Sequence, residues 1–276
     1  MSYSFNEQDY LLSSQYKSAD KLKARIALHE KYGQGKIDFH RWLFEHIDIK
    51  EDARVLELGT GSARVWLQNR TRIPQAWDIT LSDFSEGMLA EAKNNLADID
   101  HKFEFRQIDI QNIPFADDSF DMLMANHMLY HVPDIDKAIS EVKRVLKPKG
   151  KFYAAANAKG NMLELRQMLN DISKFFPNDV VVNLNNIPYT LDLAPSYLEK
   201  YFDNIERFNL NSQIIVDKAK PIMDYLISMI DLDKLENLVS QQEQEQSLEQ
   251  ALAYINKKLA NGAMVIDTKT GMTVAY

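Results

Sequence analysis

A chain of 276 residues with 45% hydrophobic content is long enough to bury a substantial core, and its formal net charge of −8 repels a nucleic-acid backbone unless a local basic patch overrides it. Cysteine is absent, which excludes disulfides, thiolate nucleophiles, cysteine-ligated zinc and iron–sulfur clusters and leaves the chemistry to oxygen and nitrogen groups. No run of about 18 apolar residues occurs, and MSYSFNEQDY lacks the basic-then-apolar layout of a signal peptide, so a cytoplasmic protein with no membrane partner is expected.

In chain order, residues 16–32 carry Leu22, Ile26 and His29 at helical spacing, and Trp42, Leu43, Phe44 and Ile47 form a second apolar stripe. Two N-terminal helices are therefore predicted. Strands are predicted over 53–58, 77–82, 103–109, 120–126 and 151–157, with helices over 62–70, 85–96 and 135–146; Pro148 and Gly150 break the last. Such alternation implies a doubly wound α/β core, a parallel sheet with helices on both faces. Beyond residue 158 the alternation fades. NMLELRQMLNDISKFF and APSYLEKYF read as helices, NDVVVNLNNIPYT as a loop or short strand, and IERFNLNSQIIV as a late strand. Residues 217–260 hold a methionine- and leucine-rich helix, PIMDYLISMI, and a polar helix with apolar positions Leu248, Leu252, Ile255 and Leu259. The closing MVIDTKTGMTVAY, two apolar runs around Thr-Gly, reads as hairpin-like. The expected organisation is an N-terminal helical cap over 1–50, a cofactor-binding core over 51–157, and a segment over 158–276 that completes the sheet and carries an inserted helical lid.

The chemistry concentrates at the strand ends, where doubly wound sheets bind ligands. VLELGTGSAR (55–64) places Gly59 and Gly61 after the first core strand, where a Cβ would block close approach of backbone to a ligand. A dinucleotide fingerprint wants a small residue where Arg64 stands, which argues against a nicotinamide-dependent dehydrogenase. Glu57, two residues before the first glycine, suits an ammonium better than a phosphate, and S-adenosylmethionine supplies both an ammonium and a sulfonium. Asp83, in LSDFSEGML, ends the second strand and can accept both ribose hydroxyls; Asp109, in FRQIDIQNIPF, ends the third and can accept from an adenine amine. Phe84 and Ile110 would sandwich the base.

Together VLELGTGSA (55–63), LSDFSEGML (81–89), IDIQNIPFADDSFD (108–121) and ANHMLYHVPDIDKAISEVKRVLKPKGKFY (125–153) resemble the class I S-adenosylmethionine-dependent methyltransferases, in particular their small-molecule type 11 or UbiE-like branch. The resemblance covers residues 50–157, with a weaker echo at 194–210. It implies a Rossmann-like seven-stranded sheet with the last strand antiparallel, which MVIDTKTGMTVAY can provide, and S-adenosylmethionine as cofactor. It further implies that Glu57, Gly59 and Gly61 line the methionine part, Asp83 the ribose, Asp109 and Ile110 the adenine, and Asn126 the amino group through its carbonyl, with Thr60, Phe84 and Met88 also among the cofactor-binding residues. Ala63 replaces the commoner third glycine, and Thr60 stands where cysteine is frequent; both replacements are small.

The remaining cluster is NHMLYHVPD (126–134) after strand four. His127 and His131, four apart, would share a helical face with Tyr130 nearby, as candidates for a general base. The zincin glutamate is replaced by Met128 and no third ligand is marked, so no metal is expected. Substrate contacts are expected outside the sheet, from Tyr16, Arg25 and His29 in the N-terminal helices and from Tyr225 in a lid running to Met229; Met162, Met168 and Met223 are read as core. The partner is then a small-molecule substrate rather than nucleic acid, and the apolar C-terminal helices leave room for a homodimer. A noncatalytic cofactor-binding protein on the same fold is the alternative, because a fold does not fix chemistry. The acceptor atom, oxygen, nitrogen or carbon, is not written in these residues.

Overall fold

Short apolar runs without polar alternation, such as RVLEL and FDMLMAN, suit strands covered on both faces, and that is what they become. The computed structural model describes residues 20–177, 180 and 187–276, with side chains from residue 24 onward. Tyr16 lies outside the described residues, as does most of the segment NDVVVNLNNIPYT.

The described elements are α1 (Asp20–Tyr32), α2 (Phe39–Glu45), β1 (Arg54–Leu58), α3 (Arg64–Gln68), β2 (Asp78–Asp83), α4 (Glu86–Asn95), β3 (Phe103–Gln107) and β4 (Phe120–Asn126). There follow a 3₁₀ turn (Leu129–His131), α5 (Ile135–Val145), β5 (Leu146–Asn157), α6 (Leu163–Ser173), α7 (Ala194–Leu198), β6 (Ile205–Val216), α8 (Ala219–Ile227), α9 (Leu232–Leu238), α10 (Gln241–Leu259) and β7 (Met264–Ala275). They build a seven-stranded sheet of order β3-β2-β1-β4-β5-β7-β6. β1 pairs in parallel with β2 and β4, β2 with β3, and β4 with β5, whereas β7 runs antiparallel to β5 from Phe152↔Ala275 to Asn157↔Thr270.

The strands order two cores. One face buries Leu56, Leu58, Leu123, Ala125 and Phe152 against α5 and α7; the other buries Val55, Met122, Met124 and Tyr153 against α2, α3 and α4. Ser85 caps α4, Asp134 caps α5, and Ser240 with Glu243 forms a capping box on α10, each satisfying backbone N–H groups left over at a helix start.

Three expectations change. The chain enters β5 at Leu146, directly after α5 and before Pro148 and Gly150. Between the two helices expected over 217–260 lies α9, whose N-cap Asp231 accepts from the Lys234 N–H at 3.1 Å. The closing segment is one strand rather than a hairpin. Gly271 is needed there for proximity, since a Cβ would sit 2.2 Å from the Phe208 carbonyl oxygen of β6.

The chain divides into two compact units. The core unit comprises Lys36–Lys159, Pro188–Leu210 and Thr270–Tyr276. The helical unit comprises the described parts of Met1–Gly35, Gly160–Ile187 and Asn211–Lys269, around its own cluster of Leu28, Leu165, Ile172, Ile222, Leu226 and Ile255. No helix among the described residues is long and apolar enough to cross a membrane.

Candidate active site

The loop after β1 turns back on the sheet through three left-handed residues, Gly59 (φ 70°), Gly61 (φ 56°) and Ala63 (φ 59°). Glycine takes this conformation without strain; Ala63 carries a cost of about 1 kcal/mol that the surrounding packing sustains. The two glycines serve different neighbours. A Cβ on Gly59 would lie 2.8 Å from both Cβ and Cγ of Met128, whereas one on Gly61 would meet only Met88 Cε, at 3.8 Å. Gly59 thus lets Met128 close onto the loop, and Gly61 leaves a cradle open toward Met88. Gly59→Ala is expected to lower stability by about 2–3 kcal/mol through clash and strain together, and Gly61→Ala by only about 1 kcal/mol while filling the cradle and weakening ligand binding. Chemical denaturation of both variants beside a ligand titration checks the contrast.

Beneath the loop lies Glu57, 2% exposed. Its Oε2 accepts from Thr60 Oγ1 at 2.7 Å and from the Trp66 indole N–H at 2.6 Å, and its Oε1 accepts from the Asn126 amide at 3.0 Å. Burial pushes the carboxyl above the usual glutamate range, against the pull of these three donors and the nearby His40 ring. The contact to a carboxylate fixes the Asn126 amide orientation, because only the NH₂ can donate. Asn126 Oδ1 is left buried with no hydrogen-bond partner among the described residues. A buried carbonyl oxygen stripped of water is costly unless a ligand donor meets it.

Asp83 joins the loop to the end of β2. Its Oδ2 accepts from the Gly61 N–H and its Oδ1 from the Ser85 N–H, each at 2.9 Å. Each oxygen keeps a further lone pair, and burial raises the carboxyl above the usual aspartate range against those backbone donors. Asp109 Oδ1 accepts from the Gln111 N–H at 2.9 Å, and Gln111 Oε1 accepts from the Asp134 N–H at 3.2 Å, tying the end of β3 to the start of α5. Phe84 is half-buried, its carbonyl held by Gln107 at 2.9 Å; Ile110 and Met88 are buried.

The histidines do not share a helical face. His127 has φ 53°, so the chain turns sharply at the tip of β4, and only Leu129–His131 form a 3₁₀ turn. The His127 ring packs on Phe39 with centroids 4.9 Å apart and lies 3.5 Å from Thr270 Oγ1; the His131 ring packs on Tyr130 at 4.4 Å. A left-handed histidine at a strand tip is strain of the kind that functional sites retain.

Hydrogen bonds therefore link Glu57 to Thr60 and Asn126, and Asp83 to Gly61, within one loop that also holds Gly59 and faces Met88, with Phe84, Asp109 and Ile110 at the neighbouring strand ends. Arg25, His29 and Tyr225 belong to the helical unit. Sequence reasoning missed Trp66, Met128 and Phe39. Their signals were faint: a tryptophan in the first turn of the glycine-loop helix, a methionine in the NHMLYH run, and an aromatic residue beside an N-cap aspartate.

The open glycine cradle, the desolvated amide oxygen of Asn126 and the carboxylates at successive strand tips stand together at the carboxyl ends of the parallel strands, in a sheet completed by the antiparallel β7. Residues 56–154 match the family model of a methyltransferase domain. The chain is 34% identical over 123 residues to a demethylmenaquinone methyltransferase of Desulfitobacterium hafniense, and 30% identical over 157 residues to a ubiquinone/menaquinone biosynthesis C-methyltransferase UbiE of Rickettsia bellii. The matches cover 44% and 55% of this chain and 49% and 62% of those relatives. At the level of fold it is similar to a Haemonchus contortus phosphoethanolamine N-methyltransferase 2 solved with phosphomonomethylethanolamine and S-adenosylhomocysteine, with TM-score 0.55 and 18% identity over 99% of this chain and 60% of that one.

Proposed function

We propose that the protein transfers the methyl group of S-adenosylmethionine to an oxygen, nitrogen or carbon nucleophile of a small molecule. The observation that supports this most directly is the buried Asn126 Oδ1, which has lost water and has no donor among the described residues. An ammonium group is the donor it suits. The fit extends along the loop: Asp83 retains lone pairs for two ribose hydroxyls, Asp109 stands at the next strand tip for an adenine amine, and Phe84, Met88 and Ile110 offer apolar surface for the base.

When bound, the sulfonium supplies a methyl group already activated for transfer. The chain's own part is to align donor and acceptor and to exclude water, and such positioning is worth about 7–11 kcal/mol. Glu57 holds Asn126 and the glycine loop in register. In this reading His127, Tyr130 and His131 supply a base for an acceptor that must lose a proton, which contributes about 10²- to 10⁴-fold. The names of the two curated relatives favour carbon methylation of a quinone precursor as the particular reaction. The helical unit, with the former cap and lid segments, then selects the acceptor, and the net charge of −8 disfavours a nucleic-acid acceptor.

Isothermal titration with S-adenosylmethionine, S-adenosylhomocysteine and NADH tests the cofactor. Micromolar binding of the first two and none of NADH is expected; the reverse order would make the chain a dehydrogenase, and no binding at all would leave a noncatalytic protein on this fold.

A further inference from the structure

The helical unit holds two arginines with no carboxylate partner among the described residues. Arg25, on α1, donates from Nε to Ser228 Oγ at 3.0 Å and from a terminal nitrogen to the Ser228 carbonyl oxygen at 2.9 Å. Both acceptors are neutral. Ser228 Oγ donates in turn to the Tyr225 carbonyl at 2.6 Å, so Arg25 is pinned to the end of α8 that carries Tyr225. Among the described residues the Tyr225 hydroxyl meets only a weak acceptor, Met162 Sδ, at 3.5 Å. Arg166 is tied to the same residue through the backbone, its N–H donating to the carbonyl of the N-cap Met162 at 3.1 Å in the first turn of α6. Tyr225 interacts electrostatically with both guanidiniums.

All three side chains are half-buried. Burial pulls the Arg166 guanidinium below the usual arginine range, the mark of a cation that has lost water without gaining an anion. Two guanidiniums near one hydroxyl repel each other, and a fold that needed only packing would be better served by apolar side chains. A guanidinium is a planar fork of donors whose geometry matches a carboxylate or a phosphate, and the phenol adds a further donor.

We propose that Arg25, Arg166 and the Tyr225 hydroxyl form a binding site within the helical unit for the oxyanion of a small molecule, a carboxylate or phosphate group. The inference rests on the methyl-transfer reading in one respect only, that the small molecule is then the methyl acceptor. An anionic acceptor of this kind differs from an uncharged quinone ring.

Titration of the full chain with inorganic phosphate, and separately with acetate, in the absence of S-adenosylmethionine reads this site alone. Saturable millimolar binding of at least one anion is expected, and the stronger of the two identifies the group. Arg166→Gln should weaken it about 10- to 100-fold, the loss of one charge-assisted pair. Arg166→Met guards against a merely structural role: without anion its melting temperature should equal or exceed that of the wild type, while the upward shift that phosphate or acetate gives the wild type should vanish. Absence of saturable binding to the wild type, undiminished binding to Arg166→Gln, or a lower anion-free melting temperature for Arg166→Met would overturn the site. Because no cofactor is present, failure here leaves the cofactor titration unaffected, and the converse also holds.

Discussion

Glu57→Ala is expected to lower the melting temperature by about 10 °C. The carboxylate is 2% exposed and receives donors from Thr60, Trp66 and Asn126. Removing it strands three of them in a site closed to water, which costs about 3–5 kcal/mol even after the relief of no longer burying a charge. In a chain of this size each kcal/mol corresponds to about 2–4 °C. Glu57→Gln keeps one acceptor and should lose about half as much. The pH dependence of the two proteins separates the terms. Since burial raises the Glu57 carboxyl in the folded state, its stabilising contribution is full below the ordinary glutamate value and declines as pH rises through the folded one. The wild type should therefore gain stability relative to Glu57→Gln on acidification through that window. Differential scanning calorimetry across pH, with a slope of the opposite sign, would show that the carboxyl is held ionised.

Asp83→Ala is expected to weaken S-adenosylmethionine binding by 100-fold or more. Two hydroxyl groups donating to one carboxylate are worth about 1.5–3 kcal/mol each, and the substitution also releases the Gly61 and Ser85 N–H groups that shape the loop. Asp83→Asn retains an acceptor for the backbone and should fall between the two. Burial raises this carboxyl as well, so wild-type affinity should begin to fall on the acid side at a pH above the ordinary aspartate value, while Asp83→Asn stays flat through the same range. Calorimetric titration at several pH values reads both effects. An unchanged affinity in Asp83→Ala would remove Asp83 from the ribose site.

The parallel half of the sheet was legible because its strands are unbroken apolar runs separated by capped helices, so period and punctuation agree at β1, β2 and β4. The loop geometry of the candidate site was legible where a strand end carries a glycine or an acid, as at Gly59, Gly61 and Asp83. Legibility failed where backbone geometry departs from the local pattern. The four-residue spacing of His127 and His131 suggested a helix, but the left-handed turn at His127 sends the two rings to different neighbours, Phe39 and Tyr130. Thr270 and Gly271 looked like a turn because glycine marks both turns and close strand approach, and only the distance to Phe208 decides between them. The Trp66 indole could not be anticipated at all, since its role depends on a hydrogen bond to Glu57 that exists only once the loop is folded.

The place of β7 in the sheet also sets an order of events in folding. Its outer half fills the gap between β5 and β6, pairing residues 270–275 with residues 152–157 across the intervening helical segments. Every parallel pair from β3 to β5 closes over shorter stretches of chain, at a lower entropic cost. Folding is therefore expected to nucleate in β1, β2 and β4 with their crossover helices, with insertion of β7 as the late step that closes the exposed edges of β5 and β6.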